Sequence, residues 1–111
     1  MSPRRHPVSW TEVAARDLER LAEYLLEESP LRAQSIIDQI VARAASLAQN
    51  PGRGRVPPEL RSVSGRSWLE LQEPPWRILY KVADDSRVEV HGVLDGRRDL
   101  EDILLERLLR P

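Results

Sequence analysis

The stretch Trp76-Arg77-Ile78-Leu79-Tyr80-Lys81-Val82 constrains the fold more than any other part of this chain. It joins aromatic and branched residues without a glycine. Glu73-Pro74-Pro75 bounds it on one side and Ala83-Asp84-Asp85-Ser86 on the other. Such a run predicts a strand, paired on both sides and buried on at least one face. Arg77 interrupts the apolar run, and a charge inside a strand of this kind is costly unless it is paired or reaches a rim.

Two helices are expected before it. Thr11 reads as an N-cap, with Glu12 in the first turn, where the helix dipole favours negative charge. Val13, Ala14, Leu18, Leu21, Ala22, Leu25 and Leu26 recur at helical spacing, which predicts a helix over about 11–28. Ser29-Pro30 restarts the chain, Ser29 as a cap and Pro30 at the first helical position. Ala33, Ile36, Ile37, Ile40, Val41, Ala44 and Leu47 form a second stripe, which predicts a helix over about 30–49, closed by Asn50-Pro51-Gly52. So short a connection folds the two helices back as an antiparallel hairpin.

The first residues, Arg4–Trp10, contain Pro7 and suit only an edge strand. Residues 51–61 hold three prolines and two glycines and read as a basic loop. Residues 66–72 and 87–94 predict two further strands, the latter alternating polar and apolar residues. Short turns join the last three strands into an antiparallel meander. Residues 99–109 read as a short amphipathic helix. The expected architecture is α+β: an N-terminal edge strand, a helical hairpin, a three-stranded meander and a short C-terminal helix, helices packed on one face of the sheet.

With 111 residues, the chain suits one domain, residues 1–111, with one modest core. No apolar run is long enough to span a bilayer, and Arg4-Arg5-His6-Pro7 opens no signal peptide, so no membrane role is expected. The absence of cysteine removes disulfide and thiol chemistry and suits the cytoplasm. Two histidines, His6 and His91, do not make a metal-binding cluster. Gly52-Arg53-Gly54-Arg55 lacks the following helix and Lys-Ser/Thr pair of a phosphate loop. No metal or cofactor is expected.

The chemistry-bearing residues are arginines. Arg53, Arg55, Arg61 and Arg66 make the loop region basic; the alternatives are a phosphate-binding patch and a solvated loop. Arg77 begins its strand and Arg97-Arg98 follow the next strand's end, so the meander brings the two places to one rim. The alternatives there are an anion patch and structural pairing with Glu70, Glu59 or Asp99. Glu59 is the one carboxylate in the basic loop, either a general base or an ion-pair partner. The apolar stripes exceed what a small sheet covers, which points to a partner surface.

Four segments, in order, resemble the ParE-type toxins of the RelE/ParE superfamily. They are Val8-Ser9-Trp10-Thr11 with Ala14, Ala15 and Asp17-Leu18; Gly54–Leu60; Trp76–Val82; and Val93-Leu94-Asp95-Gly96-Arg97-Arg98-Asp99-Leu100. The resemblance covers residues 8–105. It implies a type II toxin–antitoxin module in which a cognate, ParD-like antitoxin holds the toxin inactive in a hetero-oligomer, seated on Leu18, Leu21, Leu25, Ile36, Ile40, Leu104, Leu105 and Leu108. RelE-like members are ribosome-dependent mRNA endonucleases. By resemblance Arg77 and Arg98 match their arginines and Glu59 a loop base. Trp68, Glu70, Asp95 and Leu104 stand where their lysines, histidine and tyrosine would fall. ParE-like members are implicated as inhibitors of DNA gyrase that block replication. The expectation is therefore a gyrase-directed, non-catalytic toxin, with Arg55, Arg61, Arg77, Arg97 and Arg98 as target-binding residues and direct nucleic-acid contact left open. The alternatives are a RelE-type nuclease and an inactive relative serving as a binding module.

Overall fold

In the computed structural model, which describes residues 6–61, 68–83 and 85–96, two helices pack on one face of a four-stranded sheet. The elements run β1 (Val8–Trp10), α1 (Glu12–Glu28), α2 (Ala33–Ala45), β2 (Trp68–Glu73), β3 (Trp76–Val82) and β4 (Val88–Asp95). The sheet order is β1-β4-β3-β2. β2, β3 and β4 form the expected antiparallel meander. β1 adds to β4 in parallel at the sheet's edge, where Pro7 offers its carbonyl to the Val88 amide at 2.8 Å. The C-terminal helix expected over 99–109 lies outside the described residues.

Thr11 caps α1 as expected: its Oγ1 accepts from the Ala14 amide at 3.1 Å. The start of α2 differs from the expectation. Ser29 closes α1 by donating its amide to the Leu25 carbonyl at 2.7 Å, and the N-cap position of the next helix falls on Arg32. Pro30 and Leu31 lie in a turn closed by the Arg32 amide on the Ser29 carbonyl at 2.9 Å, and α2 begins only at Ala33. At its other end α2 tightens into a 3-10 turn, Ser46–Ala48, which buries Leu47.

Alternation divides the residues of β3. Trp76, Ile78 and Tyr80 face the helices, with Leu71, Val88, Val90 and Val93 beside them and Ala14, Leu21, Leu25, Ala33, Ile40 and Ala44 above. Each fully buried aliphatic side chain here stabilises the fold by about 1.5–3 kcal/mol. Arg77, Leu79 and Lys81 face the other way. Leu60, Leu79 and Leu94 are buried too, but outside the helix-side cluster. The sheet is therefore covered in part on both faces.

Strict alternation would put Val93 on the wet face with Glu89. A bulge intervenes: Leu79 pairs with Gly92 but Tyr80 with Val90, so His91 is the extra residue. Val93 thereby turns to the core. Just past the bulge the Val93 amide donates to Asp17 Oδ2 of α1 at 3.0 Å, which ties helix to strand. Replacing Asp17 by Ala leaves that amide without this acceptor. We expect a loss of about 1–3 kcal/mol in the chemical denaturation of the full chain, and a smaller loss for Asp17→Asn, which keeps an acceptor oxygen.

Candidate functional site

The site grows from one strand position. Arg77 lies on β3 opposite Gln72 of β2 and Leu94 of β4, on the face away from the helices. Glu70 of β2 lies diagonally across, and the Arg77 Nε donates to Glu70 Oε1 at 2.6 Å. The guanidinium's outer fork is bidentate on Glu59: Nη1 donates to Oε2 at 2.6 Å and Nη2 to Oε1 at 2.7 Å. Arg55 reaches the second oxygen of Glu70, Nε to Oε2, at 2.8 Å. The result is a chain of alternating charge, Arg55–Glu70–Arg77–Glu59, with two cations and two anions.

Burial orders these four residues. The Glu70 side chain is 2% exposed, Arg77 12%, Glu59 23% and Arg55 50%. An ionised carboxylate as deep as Glu70 needs compensation, and both of its oxygens have it. Hydrogen bonds from Arg77 hold the Glu59 carboxyl below the usual carboxylate range, against burial, which pushes it up. The carboxylates push the Arg77 guanidinium up, Glu59 most, so it stays charged.

The loop that brings Glu59 here is fixed at its root. Arg55 and Glu70 exchange both backbone hydrogen bonds, at 3.1 and 2.8 Å, a one-residue extension of the sheet beside β2. Gly54 beside it must be a glycine: a Cβ there would collide with the Tyr80 hydroxyl and stand 2.6 Å from the Glu70 carbonyl. The Tyr80 hydroxyl accepts from the Gly54 amide at 2.9 Å and donates to the Pro51 carbonyl at 2.6 Å. Burial raises its pKa, so the phenol stays neutral. The loop then turns through the 3-10 segment Pro58–Leu60, with Pro57 and Leu60 buried and Glu59 aimed at Arg77.

Gly96 completes the rim. Its amide donates to the Pro75 carbonyl at 2.7 Å, and a Cβ on it would stand 3.1 Å from the Arg77 Cδ. The end of β4 thus lies against the start of β3, as the meander requires. A cavity of about 290 Å³ opens there, lined by Arg55, Pro58, Gln72, Trp76, Arg77 and Gly96 among others. Farther along the same face Lys81 sits 5.7 Å from the Trp68 ring centroid, and His91 meets that ring edge-on at 4.7 Å.

Of the residues singled out in the sequence, Arg55, Glu59 and Arg77 come together. Arg61 is exposed at the loop's end. Arg97, Arg98, Leu104, Leu105 and Leu108 lie outside the described residues. The expected antitoxin seat needs correction. Leu21, Leu25 and Ile40 are buried against the sheet and closed to a partner, and Leu18 and Ile36 are half-buried against the same core. The apolar residues that the helical hairpin does expose are Val13, Tyr24, Leu26, Leu31 and Val41. Val13, Leu26 and Val41 belong to the stripes read from the sequence, at their solvent-facing margins, whereas Tyr24 and Leu31 lie off them. Glu70, Gly54 and Tyr80 as loop anchors were missed as well. A carboxylate inside an apolar strand was the available signal for Glu70.

A family model for the ParE toxin of type II toxin–antitoxin systems matches residues 8–100. Toxin RelE2 of Caulobacter vibrioides is 38% identical over 77 residues, 69% of this chain and 81% of that protein. Among solved structures, the chromosomal ParDE system from P. aeruginosa aligns with a TM-score of 0.66 at 18% identity, covering 83% of this chain and 97% of that one. The RelBE2 toxin–antitoxin complex from Mycobacterium tuberculosis aligns with a TM-score of 0.58 at 23% identity, covering 82% and 98%. This chain belongs to the ParE toxin family of type II toxin–antitoxin systems.

Arg77→Ala removes two of the network's contacts and leaves Glu70 with Arg55 alone. We expect a loss of about 3–5 kcal/mol in denaturant unfolding, against about 1 kcal/mol or less for Glu59→Ala at the better-solvated end. The acid limb adds a second reading. Glu59 has its carboxyl lowered in the folded state, so its stabilisation is present above the unfolded value near ~4.3 and is lost as pH falls through the folded value. Unfolding midpoints followed down the acid limb should fall more steeply for the wild type than for Glu59→Gln.

Proposed function

We propose that this toxin inhibits DNA gyrase and thereby blocks replication, and that a cognate ParD-like antitoxin neutralises it in a cytoplasmic hetero-oligomer. The observation that carries the reading is the state of Arg77. A nuclease would aim this guanidinium at the scissile phosphate, whereas here Glu59 and Glu70 take its donors. The Tyr80 hydroxyl, a possible proton donor by type, is engaged by Pro51 and Gly54. What remains on this side is a surface suited to binding. Arg55 is half-exposed at the end of the network and Arg61 is exposed at the end of the loop; Arg97 and Arg98 come next in sequence after Gly96. On the opposite side Val13, Tyr24, Leu26 and Val41, with the half-buried Leu18 and Ile36, give an antitoxin apolar contacts along the hairpin.

The second reading, a ribosome-dependent mRNA endonuclease using Arg77, Arg98 and Glu59, draws support from the relative named Toxin RelE2. One pair of assays separates the two. Purified full-length chain added to gyrase and relaxed plasmid should suppress supercoiling and accumulate cleaved DNA. Undiminished supercoiling without cleavage complexes, together with primer-extension stops on a translated mRNA, would overturn the gyrase reading in favour of the nuclease.

A further inference from the structure

We infer that Glu59 is a carboxylate gate on an oxyanion site formed by Arg55 and Arg77, and that phosphate binds there once Glu59 swings out. The two anionic partners of Arg77 are not equivalent. Glu70 is held on a paired strand, almost wholly buried, by both arginines and by its backbone exchange with Arg55. Its carboxylate cannot leave without giving up the ion pairs to both arginines from a nearly closed environment. Glu59 stands on a single 3-10 turn, is the more exposed of the two, and touches the network through one residue only. Rotation of its side chain alone frees the fork. Leu60 and Pro57, buried on either side, hold the turn in place meanwhile.

The vacated place has the chemistry of an oxyanion site. A carboxylate and a phosphate use the same guanidinium fork, with two parallel N–H···O bonds. With Glu59 in place the four charges sum to zero. With Glu59 out, two guanidinium groups face Glu70 alone and the site carries a net positive charge. The cavity of about 290 Å³ beside Arg77 is lined by Arg55 and Gly96 as well, so a ligand can approach the two guanidinium groups from it. Gln72, opposite Arg77 on β2, lines the same cavity and adds an uncharged donor.

The gyrase reading rests on Arg77 being engaged by Glu59 and Glu70 in the resting chain, and this inference concerns what Arg77 binds once Glu59 is out. Inorganic phosphate titrated into the ¹⁵N-labelled full-length chain tests it, with the Nε–Hε signal of Arg77 as the readout. Glu59→Gln should bind phosphate at Arg77 about ten-fold or more tighter than the wild type, since a closed site lowers apparent affinity by its open fraction. Arg55→Gln in the Glu59→Gln background should weaken that gain, and Glu59→Ala provides a second variant with the gate removed. Wild-type binding as tight as that of the variants would overturn the gate. So would an Arg77 signal that phosphate leaves unmoved when Glu59 is gone. Supercoiling inhibition is read in a separate assay, so failure of the gate and failure of the gyrase reading are distinguishable.

Discussion

The burial of one carboxylate organises this side of the molecule. Glu70 points from an edge strand into a nearly closed environment, where a bare charge would destabilise the fold by several kcal/mol. It therefore dictates its neighbours. Arg77 must lie along the sheet to reach one oxygen, and Arg55 must close on the other. Arg55 can do so because its backbone pairs with Glu70 itself, which fixes where the loop leaves the sheet. From that point Gly54 and the Tyr80 hydroxyl follow, and the turn Pro58–Leu60 carries Glu59 back to Arg77.

The same strand serves two tasks through its alternation. Tyr80 points to the helix side and holds the loop's start, while Arg77 points away and meets the loop's turn. A single seven-residue strand thus grips both parts of the basic loop from opposite faces. The loop's prolines and glycines suit this path: Pro57 and Pro58 set up the 3-10 turn, and Gly54 permits contact that a side chain would forbid. On the helix side, Asp17 ties α1 to the strand beside the bulge that turns Val93 to the core. Two of the sequence segments that resemble the ParE-type toxins, those around Asp17 and Tyr80, therefore have structural reasons to exist apart from any target.

Much of this was legible in the chain. Period-3.6 stripes located two helices and the alternation of residues 87–94 one strand, because burial on one face is what makes those patterns, while a bounded run of aromatic and branched residues located the strand over 76–82. The Thr11 cap and the edge position of Pro7 were legible for local reasons of hydrogen bonding. The pairing of Arg77 with Glu70 or Glu59 was foreseen as one of two alternatives, since a strand arginine needs a counter-charge. Other features were not legible. Ser29 satisfies both a C-terminal and an N-terminal signal, and only three-dimensional geometry decides that it ends α1. The His91 bulge changes which residues of β4 face the core, and no local residue preference announces it. Leu21, Leu25 and Ile40 were assigned to a partner because a stripe does not say whether its own sheet or another chain covers it.

The charge network also bears on how such a toxin could act. Electrostatic catalysis depends on donors already aimed at developing charge, with no reorganisation at the moment of reaction. Arg77 as it stands is aimed at two carboxylates, so a phosphate must first displace Glu59 and pay the difference. Recognition of a protein surface carries no such requirement, because its specificity comes from shape and from rim charges such as Arg55 and Arg61 that remain accessible. A neutral, closed network therefore favours binding in the resting state and keeps the arginine fork in reserve. Whether a target ever reaches that fork depends on Glu59, which holds the fork through its side chain alone.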